Sequence, residues 1–169
     1  MTDAQDSQDT EDTEDAEDAE DTEDTENPLR LDLQICFALN AASRAFGGVY
    51  RTLLKDLDLT YPQYLVMLVL WEDGEAPVKR LGERLRLDSG TLSPLLKRLE
   101  ASGLVRRERS TRDERSVLVA LTGAGEELRE RAEEVPLRIA RATGFELAEI
   151  EDLRRRLLRL TDALDSATL

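Results

Sequence analysis

A chain of 169 residues with one cysteine and no histidine cannot close an intrachain disulfide or build a zinc site of the usual Cys/His kind. Its formal charge of −14 is segregated: fourteen of the 37 Asp and Glu lie in residues 1–27, which hold no Lys or Arg, leaving 23 acidic residues to balance 23 basic ones. No apolar run approaches the ~20 residues needed to span a bilayer. The acidic N-terminus stands where a secretory leader would be basic and then apolar, so a cytoplasmic chain with no membrane partner is expected.

The first 27 residues repeat Glu-Asp-Thr and Glu-Asp-Ala units and are expected to form a disordered acidic tail, since almost nothing apolar offsets the ordering entropy. After Pro28, a helix is expected over Leu29–Phe46, with Leu29, Leu33, Cys36, Phe37, Asn40 and Arg44 along one stripe. Gly47-Gly48 should break it, and Val49–Leu57 should make a second, shorter helix. Thr60 caps a third, with Pro62 in its first turn and the run Tyr64–Trp71 apolar nearly all round, so this helix should be the most buried. Ala76-Pro77-Val78 is a candidate short strand.

Val78–Leu85 reads as a short helix, parted by Arg86-Leu87-Asp88 from a longer one that Asp88 caps and Gly103 stops. Leu92, Leu95, Leu96 and Leu99 recur at helical spacing and form its buried stripe. The opposite face is small and hydroxylated at first, with Gly90, Thr91 and Ser93, then cationic with Lys97 and Arg98. Pro94 fits this helix poorly, because an interior proline lacks a donor and clashes with the preceding turn. Either the regular helix starts nearer Gly90, or a kink leaves the Gly90 carbonyl free. Leu104–Arg109 and Ser116–Leu121 read as two strands around the charged loop Ser110–Arg115.

Helix, turn, helix, then a charged hairpin is the order of a winged helix-turn-helix. From Lys79 to Arg115 the chain carries eleven basic and six acidic residues, and this local excess points to nucleic acid. Hydroxyls suit base edges and cations suit phosphates. On this reading Ser89, Thr91, Ser93 and Lys97 face the major groove and Arg98 the backbone. Arg115, steered by Asp113, enters the minor groove from the wing tip.

Beyond the wing, Thr122 caps a helix running toward Arg141 and interrupted near Pro136, and Phe145–Leu164 forms a last helix striped with Leu153, Leu157, Leu160 and Leu164. These stripes need a partner, and a second copy of the chain is the simplest. Gly123-Ala-Gly125 looks superficially like part of a dinucleotide loop, but Leu128 holds the third glycine position and no parallel αβ alternation surrounds it. No nucleophile elbow or Ser-x-x-Lys pattern is present, so no enzyme, no metal and no cofactor are expected. Cys36 is either an inert small hydrophobe or a reactive thiol, if Tyr50 and Tyr61 reach it and their O–H groups stabilise the thiolate.

The stretches Leu33–Leu39, Thr60–Val66, Leu87–Glu100 and Asp113-Glu-Arg115 together resemble the MarR-type winged-helix regulators and, within them, the organic hydroperoxide resistance repressors. The likeness covers about residues 29–165. It implies a homodimeric repressor of operator DNA whose N-terminal cysteine is oxidised by organic hydroperoxides, after which the dimer leaves the DNA. Cys36 matches the reactive cysteine, and Tyr50 and Tyr61 match two tyrosines that hydrogen-bond it, one of them across the dimer. A further tyrosine of some relatives is here Asn40. The resolving cysteine that some relatives carry is missing, so any disulfide must involve an outside, low-molecular-weight thiol. The alternatives are a MarR-type regulator of a small phenolic or acidic ligand with a structural Cys36, and a cysteine peroxidase.

The expected fold is therefore mainly α with a small β-wing, a winged helix-turn-helix with N- and C-terminal dimerisation helices. Residues 28–169 form the domain. Its DNA-binding lobe is expected at about 60–121, and its dimerisation helices at about 29–57 and 122–165.

Overall fold

The computed structural model describes residues 27–109 and 116–168. The acidic tail and the tip of the wing hairpin, with Asp113 and Arg115, lie outside the described residues. The chain divides after Ala45 into two compact units.

A 3-10 turn at Leu31–Leu33 leads into helix α1, Ile35–Leu53, whose residues up to Ala45 belong to the first unit and the rest to the second. The Gln34 amide prepares this start by donating to the carbonyls of Pro28 (2.6 Å) and Arg30 (2.9 Å). The expected helix over Leu29–Phe46 therefore begins later than its leucines suggested. It also does not break at Gly47-Gly48, but runs through both glycines to Leu53. Two interior glycines cost about 1 kcal/mol each in helix propensity, which weakens a helix without ending one. The separate helix expected at Val49–Leu57 shrinks to a 3-10 turn, Lys55–Leu57, closed by Asp58 in the left-handed region.

The second unit is organised on α2, Tyr61–Asp73, whose Gln63, Tyr64, Val66, Met67, Val69 and Leu70 are all buried. Gln63 is kept satisfied at the helix start, where its side-chain oxygen accepts from the Thr60 N–H (2.8 Å) and hydroxyl (2.9 Å). Around α2 pack Leu81 of α3 (Val78–Leu85), Leu92, Leu96 and Leu99 of α4 (Ser89–Ala101), and Val105 and Val119 of the sheet, each almost fully buried. Truncating any of these leucines to alanine should cost about 2–5 kcal/mol.

The sheet has order β1-β3-β2 and is antiparallel throughout. β1 is Glu75–Pro77, β2 Val105–Arg109 and β3 Val117–Leu121, with Ala76 opposite Val119 and Arg107 opposite the same residue from the other side. The proline of β1 sits on an edge strand, the place where its missing donor is tolerated.

After the sheet, Thr122 caps α5, Gly123–Ala132, and accepts from the Gly125 N–H at 3.1 Å. The interruption expected at Pro136 falls instead at Glu133. Helix α6, Glu134–Thr143, then starts afresh with Pro136 in its first turn, where a missing N–H removes no intrahelical bond. The last helix, α7, spans Leu147–Asp165 and contains no buried residue. Among the described residues no helix is long and apolar enough to cross a membrane.

Candidate nucleic-acid interface and cysteine site

The turn between α3 and α4 is tight. Arg86 adopts a left-handed conformation (φ 53°), and the Leu87 N–H returns to the Gly82 carbonyl at 2.9 Å. Gly82 is required for this approach, since a Cβ there would lie 2.9 Å from the Leu87 oxygen. The Arg86 guanidinium reaches α7, with Nη1 2.5 Å from an Asp165 oxygen and Nη2 3.5 Å from one of Asp162. Arg84 anchors α3 to the end of α2 through Glu72 (2.7 Å) and Asp73 (3.1 Å).

Helix α4 starts at Ser89, one residue after its Asp88 cap, and continues through Pro94. The proline therefore lies inside the helix, and it has no N–H to offer the Gly90 carbonyl. Asp88 binds Thr91 twice, accepting its backbone N–H at 2.9 Å and its hydroxyl at 2.8 Å. The Thr91 N–H, followed by its O–H, holds the Asp88 carboxyl below the usual carboxylate range. Leu92, Leu96 and Leu99 turn inward, while Ser89, Gly90, Thr91, Ser93, Pro94, Lys97 and Arg98 are exposed on the other side.

The far end of α4 is locked to the wing. Glu100 accepts from the Arg107 backbone N–H (3.2 Å), Nε (2.8 Å) and Nη2 (2.5 Å), and this guanidinium holds its carboxyl below the usual range. Sequence reasoning missed this clamp, because the partners lie on different elements and only the fold brings them together. Arg106, one residue earlier, points the other way and donates to the Leu121 carbonyl at 2.8 Å. Of the nominated DNA-facing residues, five are exposed on α4, and the two at the wing tip fall outside the described residues.

The nominated cysteine site divides between the two units. In the first, Cys36 is exposed on α1, and Asn40 one turn on accepts from Arg44 at 2.9 Å. In the second, Tyr50 and Tyr61 pack ring against ring with centroids 4.4 Å apart, and Tyr64 joins them 6.1 Å from Tyr50. Burial, then the neighbouring Tyr61 and Tyr64, push the Tyr50 phenol up to about 12, so at neutral pH it keeps its proton and remains a donor. Tyr64, which also meets Trp71 edge-on at 6.2 Å, was not singled out from sequence. Its position three residues after Tyr61, on the same helix face, was the available signal.

A buried helix-turn-helix, an exposed hydroxyl-and-cation face on its second helix, and a hairpin clamped to that helix define a winged-helix DNA-binding regulator. Comparison with known proteins agrees: the family model described as transcriptional regulator SarA/Rot matches residues 48–134. An HTH-type transcriptional regulator, TtmR, of Methylorubrum extorquens is 51% identical over 82% of this chain and 71% of its own length. The organic hydroperoxide resistance transcriptional regulator of Bacillus subtilis is 46% identical over 77% of this chain and 90% of its own length. The structure of reduced AbfR of Staphylococcus epidermidis bound to DNA superposes with a TM-score of 0.72 at 36% identity, covering 83% of this chain and 96% of that one. The chain belongs to the MarR/SarA class of winged-helix transcriptional regulators, proteins that act on DNA rather than as enzymes.

Proposed function

We propose that this regulator is a homodimeric, cytoplasmic repressor that leaves its operator when an organic hydroperoxide oxidises Cys36. The observation that carries the reading is the protonated, half-buried Tyr50 set against Tyr61, the two positions that match the thiol-binding tyrosines, in a chain 46% identical to a regulator named for organic hydroperoxide resistance. Exposure of Cys36 on the protomer favours a reactive thiol over one packed in the protomer's core. Dimerisation draws support from α7, whose Leu147, Leu153, Leu157, Leu158 and Leu164 are all exposed. An apolar stripe of this extent calls for a partner, and a second copy supplies one by two-fold symmetry.

In the proposed chemistry the Cys36 thiolate attacks one oxygen of the hydroperoxide. The S–O bond forms as the O–O bond breaks, leaving a sulfenic acid and an alkoxide that takes up a proton to become the alcohol. With no second cysteine in the chain, the sulfenic acid condenses with a low-molecular-weight thiol, expelling water and leaving a mixed disulfide, or loses water to a backbone nitrogen, or is oxidised to sulfinic acid by a second hydroperoxide. Modification of Cys36 on the N-terminal dimerisation helix α1 changes, by rigid-body movement, the spacing of the two reading helices. Ser89, Thr91, Ser93 and Lys97 face the major groove, Arg98 the phosphates, and Arg115 with Asp113 the minor groove.

The test is a mobility shift on DNA from upstream of the protein's own coding sequence. The wild type should be released by one equivalent of an alkyl hydroperoxide, and Cys36→Ser should bind equally and stay bound. Release of Cys36→Ser by hydroperoxide would overturn the assignment. Release of both proteins by a phenolic acid alone would point to a ligand-responsive regulator.

A further inference from the structure

We infer that Thr91 reads the major groove only as a hydrogen-bond acceptor and a methyl group, never as a donor, because Asp88 holds its hydroxyl proton. The inference rests on the proposed reading of α4 as the groove-facing helix.

A threonine hydroxyl has one proton to donate and lone pairs that accept. Here the proton goes to one Asp88 oxygen at 2.8 Å, and the Thr91 backbone N–H goes to the other at 2.9 Å. One exposed residue therefore engages both oxygens of the cap, and its rotamer is fixed by two bonds that the helix start also needs. The carboxylate is held ionised by those same bonds, so at neutral pH it accepts only and cannot return a proton to the hydroxyl. Gly90 belongs to the arrangement: a Cβ at that position would stand 3.0 Å from Asp88 Oδ1 and crowd the carboxylate.

Pro94 withholds a donor from the Gly90 carbonyl, and its exposed ring adds an apolar surface. Cationic donors come one turn later, with Lys97 and Arg98. In the major groove the amino groups belong to adenine and cytosine, the keto oxygens to guanine and thymine. An acceptor-only Thr91 thus favours an adenine or cytosine at the base it meets and opposes a guanine. Asp88 is the positioning residue, and Thr91 the specificity-determining one.

The decisive variant is Asp88→Asn. Asparagine caps helices about as well as aspartate and still offers an oxygen to the Thr91 N–H. It places an NH2 group where the second carboxylate oxygen stood, so the Thr91 hydroxyl must accept from it and turn its own proton outward. In vitro selection from a randomised half-site with the full-length chain should enrich adenine or cytosine roughly three- to tenfold at one position for the wild type. Asp88→Asn should move that single position toward guanine or thymine and leave the others alone, and Thr91→Val should flatten it. Thermal melting followed by circular dichroism verifies that each variant is folded, and Thr91→Val carries the test if Asp88→Asn is not. Identical profiles for wild type and Asp88→Asn would overturn the inference, as would a wild-type preference for guanine that Thr91→Val abolishes. Failure of the folded wild type to enrich any sequence would instead sink the groove-facing reading of α4.

Discussion

Gly125→Ala is the substitution whose outcome the packing determines most sharply. Gly125 is buried in the first turn of α5, and a Cβ there would lie 2.1 Å from the Leu104 carbonyl oxygen and 3.1 Å from its carbon. Relief requires a separation of about 1 Å between two backbone segments, since interiors are too closely packed to absorb a methyl group. The displacement strains four hydrogen bonds at once. They are Trp71 Nε1 to the Gly125 carbonyl (2.8 Å), Gly125 N–H to Thr122 (3.1 Å), the Thr122 hydroxyl to Gly103 (2.6 Å), and Thr122 N–H to Leu104 (3.1 Å). Overpacking costs about 1–3 kcal/mol and each weakened bond up to about 1 kcal/mol, while alanine returns about 1 kcal/mol of helix propensity. A net loss of about 2–4 kcal/mol follows. Trp71 is the only tryptophan and donates one of the strained bonds, so urea unfolding followed by its fluorescence is the assay. With a slope of ~2 kcal/mol/M the midpoint should fall by about 1–2 M. Gly123→Ala, where nothing lies within 4 Å of the added Cβ, is the control and should leave the midpoint nearly unchanged. A midpoint for Gly125→Ala within about 0.2 M of wild type would refute the reasoning.

Two further outcomes follow from ionisation. The Tyr50 phenol is raised to about 12 by burial first and by Tyr61 and Tyr64 next, so the folded state binds this proton more tightly than the unfolded chain does. The stability tied to it should be intact below about pH 10 and lost as pH rises toward 12. Tyr50→Phe should remove the latest step of a phenolate absorbance titration, and ionisation of Tyr50 at the free-phenol value near 10 would contradict the desolvation argument. Glu100 is the opposite case, a carboxyl lowered chiefly by its hydrogen bond from Arg107. Its contribution is present above the unfolded value of 4.5 and is lost as pH falls through the folded one. Glu100→Gln should lower the melting temperature at pH 7 and flatten its fall in acid. Unchanged melting curves from pH 7 to pH 3 would show that the clamp on the wing is only geometric.

The helix-turn-helix was legible because each of its signals is local: leucines at helical spacing, an Asp cap, a stop at Gly103 and a buried α2 announced by its apolar run. The glycine pair at 47–48 misled because glycine near a helix reads as punctuation, whereas its real penalty is about 1 kcal/mol, which a long flanking segment overrides. Gly123-Ala-Gly125 was rightly set aside as a dinucleotide loop, but the sequence did not show what it is for. Its second glycine accommodates the close approach of Leu104, the residue just before β2, which no motif pattern contains. Pro94 left two conformations open, and the Asp88 cap decides between them by fixing where the helix starts.

What could not be read at all was polarity and long-range pairing. A threonine in the first turn of a reading helix is a donor and an acceptor on paper, and only the position of Asp88 Oδ2 removes one of the two. Arg86 is similar: its charge was counted in the basic stretch, yet its guanidinium turns to Asp162 and Asp165 at the end of α7. Ion pairs this exposed add little stability. Their consequence is placement, because they set the C-terminal end of the leucine-striped α7 beside the left-handed turn that introduces α4.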